Sequence, residues 1–139
     1  MNDMQIVTFR LSDNDYGLEI MKVREIMKMV PMTQVPSADR CLCGMINVRG
    51  DVIPVINTQM KLGMGRGEVN PESRLLLVEK EGKTAGLLVD EVLEVLAVPG
   101  SQVEPIENLE VVASGIRGII GVAKVGNDLL TILNTDELL

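Results

Sequence analysis

The sequence predicts an all-β fold: two small β-barrels side by side, with short helical turns, packed on a shared hydrophobic core. Three observations carry that prediction. Apolar residues make up 46% of the 139 positions and aromatics 1%, so the core is built from Val, Ile, Leu and Met, a composition that favours sheet. Short alternating apolar runs are punctuated by turn residues such as SDND, RGD and GN.

The third observation is an internal duplication. YGLEIMKVREIM (16–27) lies over AGLLVDEVLEVL (85–96), sharing Gly17 with Gly86, Leu18 with Leu87, Val23 with Val92 and Glu25 with Glu94. DVIPVINTQMKL (51–62) lies over DLLTILNTDELL (128–139), sharing Asp51 with Asp128, Asn57 with Asn134 and Thr58 with Thr135. Each copy holds four or five short strands, too few for a sandwich but enough to close a barrel and remove exposed edges. Units of ~65 residues are marginal alone, so the apolar faces of the two are expected to meet in a common core.

Element by element, QIVTFRL (5–11) alternates as a strand entering a hairpin through SDND, with Tyr16–Ile20 as its partner. The apolar positions Ile20, Val23 and Met27 then fall at i, i+3, i+7 among Lys22, Arg24, Glu25 and Lys28, which predicts one or two helical turns. Pro31 and Pro36 bracket an extended piece, and SADR predicts a short helix capped by Ser37 and running to about Gly44. Strands follow at Met45–Val48 and Val52–Asn57, joined through RGD. The stretch Gly63–Ser73 is a linker, because its glycines meet neither the P-loop nor the dinucleotide spacing. RLLLVEK and TAGLLVD form a hairpin around Glu81 and Gly82, and GIIGVAKV and DLLTILN form another around Gly126 and Asn127.

The composition closes several function classes. A net charge of −7 without a basic run or stacking aromatics removes the electrostatic term that drives nucleic-acid binding. No apolar run approaches the ~20 residues of a membrane span, and the N-terminus has no signal-peptide pattern, so a cytoplasmic location is expected without direct membrane insertion. There is no histidine, which removes the common zinc ligand and the usual general base near neutral pH. Cys41 and Cys43 are too few for a tetrahedral metal site and read as small, reduced residues. No cofactor is expected. Glu94, Glu104, Glu107 and Glu110 lack any second feature to focus them and read as a solvated acidic face.

Two features point to a protein partner. Met21, Met27, Met29 and Met32 add flexible, polarisable side chains to the segment carrying Ile20 and Val23, and an apolar strip left outside a barrel marks a protein contact. Ile20, Val23 and Met27 are the candidates. Arg49 stands at the bend of GMINVRGDVIPVIN (44–57), where its planar fork can take a carboxylate in two places, and Glu25 is the acid to pair with it. The second copy, GVAKVGNDLLTILN, also turns with glycine but has no arginine at its bend. Arg49 is thus an addition of the first barrel.

YGLEIMKVREI, GMINVRGDVIPVIN and GVAKVGNDLLTILNTDELL together resemble the CheW-type chemotaxis coupling proteins, whose signatures read Tyr-Gly-Ile-x-Ile, Val-x-Glu-Ile and Gly-x-x-Asn-Leu-Arg-Gly-x-x-x-Pro-Val-x-Asp/Asn-Leu. The likeness runs nearly end to end, with Val48 in place of Leu before the arginine and Thr58 where the motif has Leu. It implies two tandem five-stranded SH3-like barrels, subdomain one at about 12–72 and subdomain two at about 1–11 plus 73–139. It also implies a non-catalytic adaptor that couples transmembrane chemoreceptors to the histidine kinase CheA. Its partners would be the regulatory domain of the kinase, barrel against barrel, and the cytoplasmic receptor tip, in a groove between the barrels, within membrane-associated receptor arrays.

Carried over residue by residue, the resemblance implies kinase contacts at Ile20, Val23 and Met27. It ties Glu25, Gly44, Asn47, Arg49 and Gly50 to receptor coupling and barrel geometry, with Leu75 and Leu76 as further receptor-side candidates. The alternatives are a CheW-like module of a CheV-type protein, which would carry a receiver beyond Leu139 if this chain belongs to a longer protein, and a module of a non-motility chemosensory pathway. A binder of proline-rich peptides would need an aromatic groove that Phe9 and Tyr16 cannot make.

Overall fold

A computed structural model describes residues 3–65, 67–105 and 118–139 of the chain. Its strands are β1 (Asp3–Leu11), β2 (Asn14–Glu19), β3 (Val23–Lys28), β4 (Leu42–Val48), β5 (Asp51–Asn57), β6 (Arg74–Lys80), β7 (Lys83–Val89), β8 (Glu91–Pro99), β9 (Val103–Pro105), β10 (Ile119–Val125) and β11 (Asp128–Leu133). Two four-residue helices, α1 (Thr58–Lys61) and α2 (Thr135–Leu138), follow β5 and β11. The mainly β class holds, with one sheet for each expected barrel.

One sheet runs β8-β1-β2-β11-β10-β9 and the other β3-β6-β7-β5-β4. The first has six strands where five were expected, because the chain passes a 3-10 turn at Gly100–Gln102 and adds the short β9 beside β10. Neighbours are antiparallel except β2 with β11 and β5 with β7. Those two parallel pairs are equivalent under the duplication, so each copy lends its opening hairpin to the sheet of the other. By hydrogen bonding the chain therefore groups as 23–89 against 3–19 with 91–133. This places β2, β6 and β7 across the boundaries that the sequence suggested near 12 and 72.

Strand alternation then sorts the aliphatic side chains into three cores. Ile46, Val48, Ile53, Val55, Leu75, Leu77 and Leu88 fill the inside of the five-stranded sheet. Ile6, Val98, Ala123, Leu130 and Ile132 do the same in the six-stranded one. Between the sheets, Val7, Phe9, Leu11 and Leu18 meet Leu76, Val78, Leu87 and Val89. The expected common core is this middle layer, and Phe9 is fully buried in it.

Two helical expectations are overturned. The segment from Ile20 is a three-residue 3-10 turn, Ile20–Lys22, followed at once by β3, whose alternating exposure is that of a strand. Hydrogen bonding to β6 outweighs a weak helical pattern containing Val23 and Ile26. No helix follows Ser37 either. The Ser37 hydroxyl accepts from Asp39 N (3.0 Å) and the Asp39 carboxylate from Cys41 N (2.8 Å), so the side chains stabilise local turns that deliver the chain into β4.

The duplication extends to the caps. Asn57 accepts from Met60 N, and Asn134 accepts from the amides of Asp136 and Glu137, so the β4–β5 and β10–β11 hairpins both end in the same capped turn.

Candidate functional site

The site grows from the β4–β5 hairpin. Val48 pairs with Asp51, which leaves Arg49 and Gly50 as a two-residue loop with φ of +51° and +92°. Positive φ at both positions belongs to the type I′ turn, whose twist matches that of the strands. Glycine takes this at little cost, whereas an arginine there is strained. The Asn47 side chain accepts the Gly50 N–H at 2.9 Å, which explains a polar residue at the end of an apolar strand.

The turn carries Arg49 to β3. One guanidinium nitrogen lies 2.6 Å from Glu25 Oε1 and the other 3.4 Å from Oε2, the fork geometry foreseen for this pair. The hydrogen bond from Arg49 holds the Glu25 carboxyl below its ordinary range, and the carboxylate in turn raises the guanidinium. Both are solvent-accessible, with side chains 71% and 36% exposed. Since β3 and β4 are the two edges of their sheet, the pair spans its opening. A second bridge lies nearby, where Thr33 and Met45 exchange backbone hydrogen bonds of 2.8 and 2.9 Å. Gly44 serves that closure, since a Cβ there would stand 2.8 Å from the Thr33 carbonyl oxygen.

The other candidates fall in different settings. Ile20 and Val23 are half-buried against the core between the sheets, and Met27 is half-buried against the core inside its own sheet. Leu75 and Leu76 have no exposed surface; Leu75 points into the barrel and Leu76 into the middle layer. Any role they have in binding is exerted from beneath the surface. Cys41 and Cys43 are both half-buried, and burial pushes the Cys41 thiol up. Among the acids, Glu107 and Glu110 lie outside the described residues.

Sequence reading did not name as candidates several apolar residues that stand far out. Met21 is 91% exposed, Val52 70%, Leu129 67%, Val95 53% and Ile26 41%. The duplication already held a signal for four of them: it sets Ile26 over Val95 and Val52 over Leu129. An apolar residue repeated at the same outward position of both barrels is a surface feature of the unit. A further groove of about 350 Å³ runs beside the β6–β7 turn, lined by Pro54, Ile56, Lys80, Lys83 and the terminal Leu139.

Residues 5–139 match the family model described as the CheW-like domain. The chain belongs to that family. CheW-family members are scaffold proteins, not enzymes, and this CheW-like chain is one of them. It is 28% identical over 136 residues to the chemotaxis protein CheW of Helicobacter pylori, covering 98% of this chain and 81% of that protein. The probable chemotaxis protein CheW of Rhizobium etli is 31% identical over 124 residues, covering 88% of this chain and 80% of its own. The crystal structure of the scaffolding protein TtCheW from Thermoanaerobacter tengcongensis superposes with a TM-score of 0.86 at 34% identity, covering 96% of this chain and 90% of that one. Among the described residues, no helix is long and apolar enough to cross a membrane.

Proposed function

We propose that this chain is a cytoplasmic, non-catalytic adaptor of a chemotaxis pathway that couples chemoreceptors to a CheA-type histidine kinase. The observation that carries the reading is the family match over residues 5–139. The kinase would bind along the Ile20–Lys22 turn and β3, where Ile20, Val23 and Met27 are half-buried and Ile26 faces outward from the strand. An extended segment with an outward apolar residue suits a contact of barrel against barrel.

The receptor tip would lie in the groove beside the β6–β7 turn, whose apolar floor is flanked by Lys80, Glu81 and Lys83. Glu25, Asn47, Arg49 and Gly50 would form the coupling rim. Arg49 spends part of its five-donor fork on Glu25 and keeps the rest for a partner's carboxylate or carbonyl. Gly44 would act through barrel geometry, and Leu75 and Leu76 by packing beneath.

Co-purification of the tagged chain from its native cell tests the reading. A CheA-type kinase and a chemoreceptor should both be recovered, and both should be depleted by Arg49→Glu. Recovery of neither would overturn the proposal.

A further inference from the structure

Among the described residues the chain passes from one sheet to the other twice, at Ile20–Lys22 between β2 and β3 and at Asp90 between β7 and β8. The duplication makes these crossings equivalent, with Met21 in the place of Asp90. They are built in opposite ways. At the second crossing, Gln59 Nε2 on α1 donates to both carboxylate oxygens of Asp90, at 3.0 and 2.9 Å. The same carboxylate accepts the Ser12 N–H at 2.7 Å, and the Asp90 N–H donates to the Arg10 carbonyl at 3.0 Å. One residue thus ties a helix of the five-stranded sheet to the β1–β2 turn of the six-stranded sheet.

The Gln59 end of the clasp is enclosed, whereas Ser12 is exposed and Asp90 half-buried. Gln59 is 6% exposed, and a Cβ at Gly67 would stand 2.5 Å from its amide nitrogen, so the loop after α1 lies directly on it. Ser12 is held with a φ of +59°, a conformation that its bond to Asp90 stabilises. At the first crossing the turn has no side-chain cap and Met21 stands in solvent, with Ile20 half-buried against the middle core. The equivalent of the α1 contact is there a single exposed bond from Lys80 Nζ to the Asp136 carbonyl.

We propose that Asp90 and Gln59 are positioning residues, the fixed pivot that sets the angle between the two barrels, and that the Ile20–Lys22 crossing is the compliant link. The two sheets also meet along the middle core, so the clasp fixes their angle at one end of that shared layer. This holds for the free protein, whatever binds it.

The test is a distance distribution between spin labels at the exposed positions 52 and 129, one on each sheet, in the full-length chain with Cys41 and Cys43 replaced by alanine. Gln59→Leu and Asp90→Ala should widen the distribution well beyond wild type while Lys80→Ala leaves it unchanged. Asp90→Asn, which keeps one acceptor for Ser12 N–H, should fall between. Exchange of the Ser12 amide should quicken about tenfold in Asp90→Ala, the loss of one charge-assisted hydrogen bond. An unwidened distribution in Gln59→Leu would overturn the proposal, as would equal widening in Lys80→Ala. If Asp90→Ala does not fold, Gln59→Leu decides alone.

Discussion

At the scale of single residues, the Arg49–Glu25 pair can be required for its charge order or for the closure it gives the barrel. The two requirements separate by charge reversal. Arg49→Glu should abolish receptor and kinase coupling while moving Tm by no more than about 4 °C, because exposed ion pairs add little to stability. Adding Glu25→Arg restores the pair with its sense reversed. Tm should return to the wild-type value while coupling stays lost, measured as kinase activation in reconstituted receptor arrays. Recovery of coupling by the double variant would make the pair a geometric clasp alone.

The same pair sets a pH dependence. The Glu25 carboxyl titrates below its ordinary value of 4.5 in the folded chain. Its contribution is therefore complete above the unfolded value and is lost as pH falls through the lower, folded one. Wild type and Glu25→Gln should show converging Tm values as the pH is lowered below about 4.5. Gly44→Ala should instead cost ~1–3 kcal/mol at every pH by forcing β4 away from Thr33, read by denaturant melts.

At the scale of elements, β3 decides how the kinase face is probed. Val23 packs on the middle core, so Val23→Asp buries a charge and should lower stability together with binding. Ile26 is 41% exposed on the other face, so Ile26→Asp should weaken kinase binding with an unchanged melt. Equal kinase affinity in Ile26→Asp, measured by calorimetry, would remove the outer face of β3 from the contact.

This strand also shows what could be read in advance. Each hairpin was legible because an alternating run met residues able to take the turn, as at Glu81 and Gly82 with φ of +53° and +79°. The bidentate partner of Arg49 was legible from side-chain chemistry. β3 was not, because an edge strand mixes apolar and polar residues on both faces: Val23, Glu25 and Met27 on one, Arg24, Ile26 and Lys28 on the other. That mixture fits a helical period as well as a strand. The burial of Leu75 and Leu76 was hidden for a different reason. RLLLVEK is apolar on consecutive positions because β6 separates two cores, which only the tertiary structure supplies.

At the scale of the whole molecule, the reciprocal loan of hairpins determines which pieces can stand alone. A fragment cut at 12–72 keeps β3, β4 and β5 but loses β6 and β7, the strands between β3 and β5 in the sheet. Leu75, Leu77 and Leu88 leave the inner core with them. That fragment should show no cooperative thermal transition by circular dichroism. A fragment of 20–90 keeps all five strands and every residue of the inner core, so it should melt cooperatively, although domains of this size are marginal. It also uncovers Leu76, Val78, Leu87 and Val89, a stripe that the six-stranded sheet covers in the intact chain. An apolar stripe of that kind drives association, so sedimentation should find the fragment more strongly associated than the full chain. A cooperative melt from 12–72 would show instead that the two middle strands are dispensable, and that the copies fold before they exchange hairpins.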